Sequence, residues 1–472
     1  MASFPDYEAH DGLGLAALVA RGEVSAEELL EAAIERIEAR DPQVNAIAHK
    51  LYDHAREAIA AGLPQGPFTG VPYLLKDLAT PLAGTPCENG SRLFAGWVDR
   101  EDGPLVARSK AAGLVILGKT TTSEHGLSVT TETQHCGPTR NPWNLNHSSG
   151  GSSGGAGAAV AAGMVPLAHG SDGGGSIRIP AAHCGLFGLK VTRARTPSGE
   201  GWAGLATHHA LTRSVRDSAA LLDATHGITP GYPYAAPAAK RSFLEEVGAD
   251  PGRLRVAWSW RHTMPNVTVE PDCRTAVEQA AKLAESLGHH VEEAAPDLDH
   301  QAIDKAMMTI VCANSAAFLD QGHPSENRSV RRDEVEQLAW DAAERGRGYS
   351  GTDYIRAVET CHRVSRDLAA FLEHYDLLLT PTTAAVSPPI GLLDPNREDT
   401  EGLIADIAPY IAFTRVLNMS GQPAASLPLH WSDDGLPVGV QIVGRFGDEA
   451  TILRLASQFE AAKPWFDRRP VV

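Results

Sequence analysis

Two glycine-serine clusters raise the question of chemistry: residues 150–155 read GGSSGG and residues 171–176 read SDGGGS. Glycine lets backbone approach a ligand closely and aim its N–H groups at a negative charge. Gly173, Gly174 and Gly175 are therefore candidate donors to an oxyanion. Ser176 follows them directly, so a hydroxyl nucleophile stands beside groups able to hold the charge its attack creates, an arrangement that suits acyl transfer. The competing reading is a flexible linker. A linker has no reason to be punctuated by structure, whereas here a small-residue helix is expected over 156–164 and a short apolar strand over 165–168. Asp172 and Arg178 flank the nucleophile closely enough to pair and stiffen the loop.

The elements that must position these residues are legible in outline. Ser25 and Glu28 form an S-x-x-E capping box, and Leu30, Ala33, Ile34 and Ile37 recur at helical spacing. The first sixty-odd residues are expected to be helices packed on something else. GVPYLL at 70–75 reads as a short buried strand that delivers Lys76 out of apolar surroundings. Residues 254–260 and 290–293 read as strands, 273–287 as an amphipathic helix closed by Gly288, and 298–375 as mostly helical. YDLLLTPTT at 375–383, NMSGQPAASLP at 418–428 and GLPVGVQIVG at 435–444 give further strands, the last two joined by a turn at 433–435.

Two stretches imitate other chemistries. Residues 113–120 fit G-x-x-x-x-G-K-T, the phosphate-loop pattern, but in a phosphate loop the strand precedes the first glycine, whereas Leu114 to Leu117 are themselves strand-like. Residues 151–155 fit G-x-S-x-G with Ser153 as nucleophile, which would make the chain an α/β-hydrolase-type esterase. That elbow needs a strand immediately before it, and NPWNLNHSS at 141–149 reads as turn-rich and polar.

Composition bounds the rest. The chain has 472 residues, 43% hydrophobic and 21% charged, with a formal net charge of -17 and no basic cluster, which argues against nucleic acid as partner. No run of about 18 apolar residues suggests a membrane span, and MASFPDYEAHDG reads as neither secretory signal nor transit peptide. Six scattered cysteines without C-x-x-C pairs indicate neither a disulfide framework nor a zinc site. A cytoplasmic enzyme without metal or cofactor is the expectation, with homo-oligomerisation left open.

GGSSGG, then GSDGGGSIRIP, then CGLFGLKVT resembles the signature of the amidase signature family. The resemblance implies an α/β fold, a central mixed β-sheet covered by helices on both faces, with a helical cap region. It implies that Ser176 is the acyl-accepting nucleophile, that Ser152, after a cis peptide bond, bridges it, and that Lys76 in PYLLKDL is the base. Three positions depart from the usual wording: Ser171 for Thr, Gly173 for Thr or Ile, and Val191 for Pro. The organisation implied is one catalytic domain, with helices over 1–66, the signature core over 67–253, a variable substrate-shaping region over 254–375 and a return to the sheet over 376–472. In the family the segment LSVTTETQHCGPTRNPW runs along the active site, so Thr130, Thr131 and Cys136 are candidate substrate-binding residues, as is Cys312 in TIVCANSAAFL.

For Lys76 to act as a base its amine must be neutral, although an unperturbed lysine has a pKa of about 10.4. Burial can lower that by up to roughly 3 to 5 units. The segments TRNPWNL, RSVRDSAALLD and SGQPAASLPLHWSDDGLPVGVQIVG resemble the family's nylon-oligomer amidases, the 6-aminohexanoate cyclic-dimer hydrolases, with aryl acylamidases and urethane-cleaving amidases as relatives. That implies small, fairly apolar amides as substrates, with esters and carbamates as further candidates. Two contrasting expectations remain. One is the glutamine-hydrolysing component of a tRNA-dependent amidotransferase, which works only with partner chains; the other is a non-catalytic binding protein on the same scaffold.

Overall fold

The computed structural model describes residues 4–197, 201–262, 264 and 267–472. Eleven strands form one mixed sheet: β1 (Ile47–Lys50), β2 (Pro72–Lys76), β3 (Val115–Thr120), β4 (Leu167–Asp172), β5 (Phe187–Lys190), β6 (Thr207–Thr212), β7 (Arg255–Trp258), β8 (His290–Glu293), β9 (Leu377–Pro381), β10 (Ala424–Trp431) and β11 (Pro437–Gly444). Their spatial order is β1-β3-β2-β4-β6-β5-β10-β11-β9-β7-β8. β2 runs parallel to β3 and β4, and β7 runs parallel to β9 and β8. The strands from β4 through β6, β5, β10 and β11 to β9 pair antiparallel. Every residue of β2, β3, β4, β5, β6, β9 and β11 is buried. Strands that bury both alternating sets of side chains are covered on both faces, here by helices. The edge strand β8 is by contrast polar and largely exposed, which blunts it against pairing with another chain.

The capping box forms as read: Ser25 Oγ accepts from the Glu28 N–H at 3.1 Å and Glu28 Oε2 accepts from the Ser25 N–H at 2.8 Å, starting the helix Ala26–Val44. The first sixty-odd residues are not helical throughout, however. β1 lies among them and pairs antiparallel with β3, so the N-terminal segment supplies the edge of the sheet as well as helices on it. The phosphate-loop imitation resolves as strand: Lys119 lies inside β3, fully buried, with its Nζ 3.3 Å from Asp99 Oδ2.

Beyond β8 the chain builds a cap from the helices His300–Leu319, Gln337–Arg347, Gly351–His374 and Thr400–Ile411. His300–Leu319 is long and apolar enough to cross a membrane by length and composition, although Asp304 and Lys305 break its apolar run. Half of it is buried, and it packs on Gln337–Arg347 and Gly351–His374, which accounts for its apolar residues. The approach to Gln337–Arg347 is close because Gly346 has no side chain: a Cβ there would lie 1.9 Å from the carbonyl oxygen of Cys312.

Candidate active site

Lys76 is the last residue of β2, and Ser171 and Asp172 are the last two of β4, so the ends of two adjacent parallel strands deliver the lysine and the glycine loop to one place. The helix Gly154–Ala161 starts within the first cluster, and the helix Arg178–Cys184 follows the second. The Gly151–Ser152 peptide bond is cis. Lys76 Nζ donates to Ser152 Oγ at 2.7 Å and to Ser171 Oγ at 3.0 Å. The amine is fully buried and no carboxylate pairs with it among the described residues. Burial pushes its pKa down to about 7, against an opposing pull from Asp172. The hydroxyl at Ser171, where the family wording more often has Thr, is thus a partner of the amine.

Ser176 is half-buried and Ser152 buried, and the two loops are tied by the Ser153 N–H, which donates to the Ser176 carbonyl at 3.3 Å. No hydrogen bond joins the Ser152 and Ser176 hydroxyls here. Ser153, the alternative nucleophile, faces the sheet: its Oγ donates to the Ser171 carbonyl at 3.2 Å and accepts from the Ser171 N–H at 3.3 Å, wholly buried. A strand, Asn144–Ser148, does precede the loop, but it belongs to a two-stranded ribbon with Arg140–Asn141 and not to the central sheet.

The oxyanion candidates divide. The Gly175 N–H donates to Asp172 Oδ1 at 2.7 Å, so it is committed within the loop and is not a free donor, contrary to expectation. The N–H groups of Gly173, Gly174 and Ser176 have no partner among the described residues. The expected ion pair is present and is the anchor of the loop. Arg178 Nε donates to Asp172 Oδ2 and Nη2 to Oδ1, both at 2.9 Å, with both side chains fully buried. The remaining guanidinium donors reach the Thr414 carbonyl, Gln441 Oε1 and Asn418 Oδ1, while Asn418 Nδ2 returns to Asp172 Oδ1 at 2.9 Å. Burial alone would raise the Asp172 carboxyl, but the Arg178 guanidinium and the Asn418 amide hold it well below the usual carboxylate range. Thr414, Asn418 and Gln441 lie more than two hundred residues along the chain from this loop, and no spacing pattern points to them.

A cavity of about 500 Å³ opens over Ser176 and Gly174. Leu127, Val129, Ile179, Trp202, Met307 and Ile407 make its walls mostly apolar, and the charged pairs Asp304–Arg415 and Arg345–Glu401 also line it. Cys312 lines it too, its thiol pushed up to about 11 by burial and so not a thiolate at neutral pH. Thr130, Thr131 and Cys136 do not line it; the neighbouring stretch Gly126 to Val129 does. Thr130 is buried beneath the glycine loop, where a Cβ on Gly151 would sit 2.6 Å from its carbonyl oxygen. The Thr131 hydroxyl donates to the Gly150 carbonyl at 3.0 Å and accepts from the Gly154 N–H at 3.2 Å. Both threonines lie against the loop and outside the cavity lining. Cys136 lies at the far end of the segment, where its carbonyl accepts from the Asn45 side chain.

Known proteins share this framework. The profile of the family described as Amidase matches residues 28–453. The chain is 40% identical to the 6-aminohexanoate-cyclic-dimer hydrolase of Pseudomonas sp. (strain NK87), over 98% of this chain and 96% of that one. The structure of a 6-aminohexanoate cyclic dimer hydrolase complexed with substrate superposes with a TM-score of 0.93 at 38% identity, covering 98% of this chain and 99% of the other. A bacterial aryl acylamidase superposes with a TM-score of 0.86 at 27% identity, covering 98% and 99%.

Proposed function

The chain belongs to the amidase signature family and is an amidohydrolase, and from that premise we propose that Lys76, Ser152 and Ser176 are its catalytic triad. The observation that carries this reading is the buried, carboxylate-free amine of Lys76 in contact with Ser152 at 2.7 Å. Neutral, that amine has a lone pair, and the same contact can run the other way, with the Ser152 O–H donating to Nζ. Ser176 then gives its proton to Ser152 as its oxygen attacks the amide carbon. The free N–H groups of Gly173, Gly174 and Ser176 receive the developing oxyanion. The proton returns through Ser152 to the leaving amine, and water enters by the same relay to release the acid and restore Ser176.

The apolar cavity supports amides with a compact hydrocarbon body over a small polar amide such as glutamine, and so favours a stand-alone hydrolase over one component of an amidotransferase. The named relative acts on the cyclic dimer of 6-aminohexanoate, and we place this chain's substrates in the same class, with carbamates and esters as secondary substrates. All six cysteines are free thiols, which fits a reducing compartment and a cytoplasmic location.

The test is hydrolysis of 6-aminohexanoate cyclic dimer, an acylanilide, a carbamate, an ester and glutamine by wild type and Ser176→Ala, read as the acid formed, or for the carbamate as the amine or alcohol released. Cleavage of the cyclic amide or the anilide that disappears in the variant supports the reading. Cleavage of the ester alone, preference for glutamine, or activity that survives in Ser176→Ala would overturn it.

A further inference from the structure

The strand that carries Lys76 is held by a side chain where a sheet is ordinarily held by backbone. β2 and β4 pair only at Leu74 and Ala168 and then part. On the β3 side the ladder continues, with the Asp77 N–H donating to the Thr120 carbonyl at 3.1 Å. On the β4 side the Lys76 N–H, next in line after Leu74, meets no carbonyl. It donates instead to His169 Nδ1 at 3.2 Å. His169 Nε2 lies 3.0 Å from His208 Nδ1 on β6, the two rings stacked with centroids 5.1 Å apart.

This network fixes both tautomers. A main-chain N–H can only donate, so His169 Nδ1 is an acceptor and its proton sits on Nε2. Nε2–H then donates to His208 Nδ1, which places the His208 proton on its own Nε2. Burial, with His208, Lys76 and His209 adding to it, holds His169 well below the ordinary histidine range, and burial with Lys76 holds His208 at about 4. The charged or titratable groups facing the pair are Lys76 from β2 and His209 from β6, with Asp172 acting on Lys76 from the end of β4. The same side of the cluster carries Ser171, whose hydroxyl takes the second hydrogen bond from the lysine amine.

We propose that His169, backed by His208, is a positioning residue for the proposed reaction: its neutral imidazole takes the place of the missing strand carbonyl and seats the Lys76 amine against Ser152. This rests on the assignment of Lys76 as the base. A proton on Nδ1 cannot coexist with the Lys76 N–H bond, so protonating the pair unseats the lysine.

The experiment compares His169→Asn, whose Oδ1 stands near the position of Nδ1 and keeps an acceptor, with His169→Leu, which removes it. The readouts are kcat/KM for an acylanilide from pH 5 to 9 and thermal unfolding. His169→Leu is expected to lose about tenfold to a hundredfold in kcat/KM and to move the acid limb by more than about half a pH unit. His169→Asn is expected to recover most of that loss. An unchanged profile in His169→Leu, or damage as great in His169→Asn, would assign His169 to packing alone and overturn the proposal. If His169→Leu does not fold, His208→Asn against His208→Leu makes the same comparison one link further out, with the same criteria. Lys76→Ala in parallel separates the two claims, because its retention of activity would refute the triad itself.

Discussion

The floor and the roof of the cavity are built on opposite principles. At the floor, the ends of β2 and β4 hold Lys76, Ser171 and Asp172 in wholly buried surroundings, and each polar group has a named partner there: Lys76 with Ser152, Asp172 with Arg178, Arg178 with Asn418 and Gln441. At the roof, the cap helices present methionine, leucine and isoleucine, and are fastened in part by exposed pairs such as Arg345–Glu401 and Arg347–Asp320. A buried ionic network tolerates almost no change, because removing one member strands the others without water. An apolar wall of flexible side chains tolerates much, because a changed methylene alters fit more than it alters chemistry. On the proposed mechanism, the difference separates where this chain keeps its reaction from where it keeps its choice of substrate.

Four expected outcomes test that contrast, in falling order of effect. Lys76→Ala should cost on the order of 10⁴ or more in kcat/KM with folding retained, read by anilide turnover beside a thermal melt. Arg178→Ala should destabilise the fold by about 3–5 kcal/mol, measured by urea unfolding, since it leaves the Asp172 carboxylate buried and unpaired. At the roof, Met308→Ala should move KM more than kcat and by no more than about tenfold, with the change differing between a bulky and a slim acyl group. Arg345→Gln should change stability by less than about 1 kcal/mol, because its partner Glu401 is largely exposed. A roof substitution as damaging as Arg178→Ala would erase the distinction between the two regions.

Legibility in the sequence followed the same divide. The floor's parts lie in short motifs in which spacing constrains chemistry: SDGGGS puts Ser176 after its candidate oxyanion donors and Asp172 four residues before it, and PYLLKDL puts Lys76 at a strand end. What those motifs could not convey is which N–H is already engaged. Gly175 reads like its neighbours, and only the fold shows its N–H turned to Asp172. Thr130 and Thr131 read as pocket residues because a hydroxyl can serve a ligand or the protein equally well, and here the glycine loop takes the Thr131 hydroxyl and Ser128 that of Thr130. The strand β1 leaves no signal among the helices that surround it, because four residues at a sheet edge give little periodicity.

The most direct measurement of the central claim is the rate at which a fluorophosphonate labels the protein as a function of pH, with the adduct mapped to its residue, in wild type and in Lys76→Ala. Lysine activates the relay only when neutral, and the neutral fraction grows as pH rises through its pKa. The account therefore predicts a single adduct on Ser176, slow in acid and rising through a midpoint near 7, with both the rate and the midpoint lost in Lys76→Ala. An adduct on Ser153, or a Ser176 adduct whose pH dependence survives removal of Lys76, would contradict it.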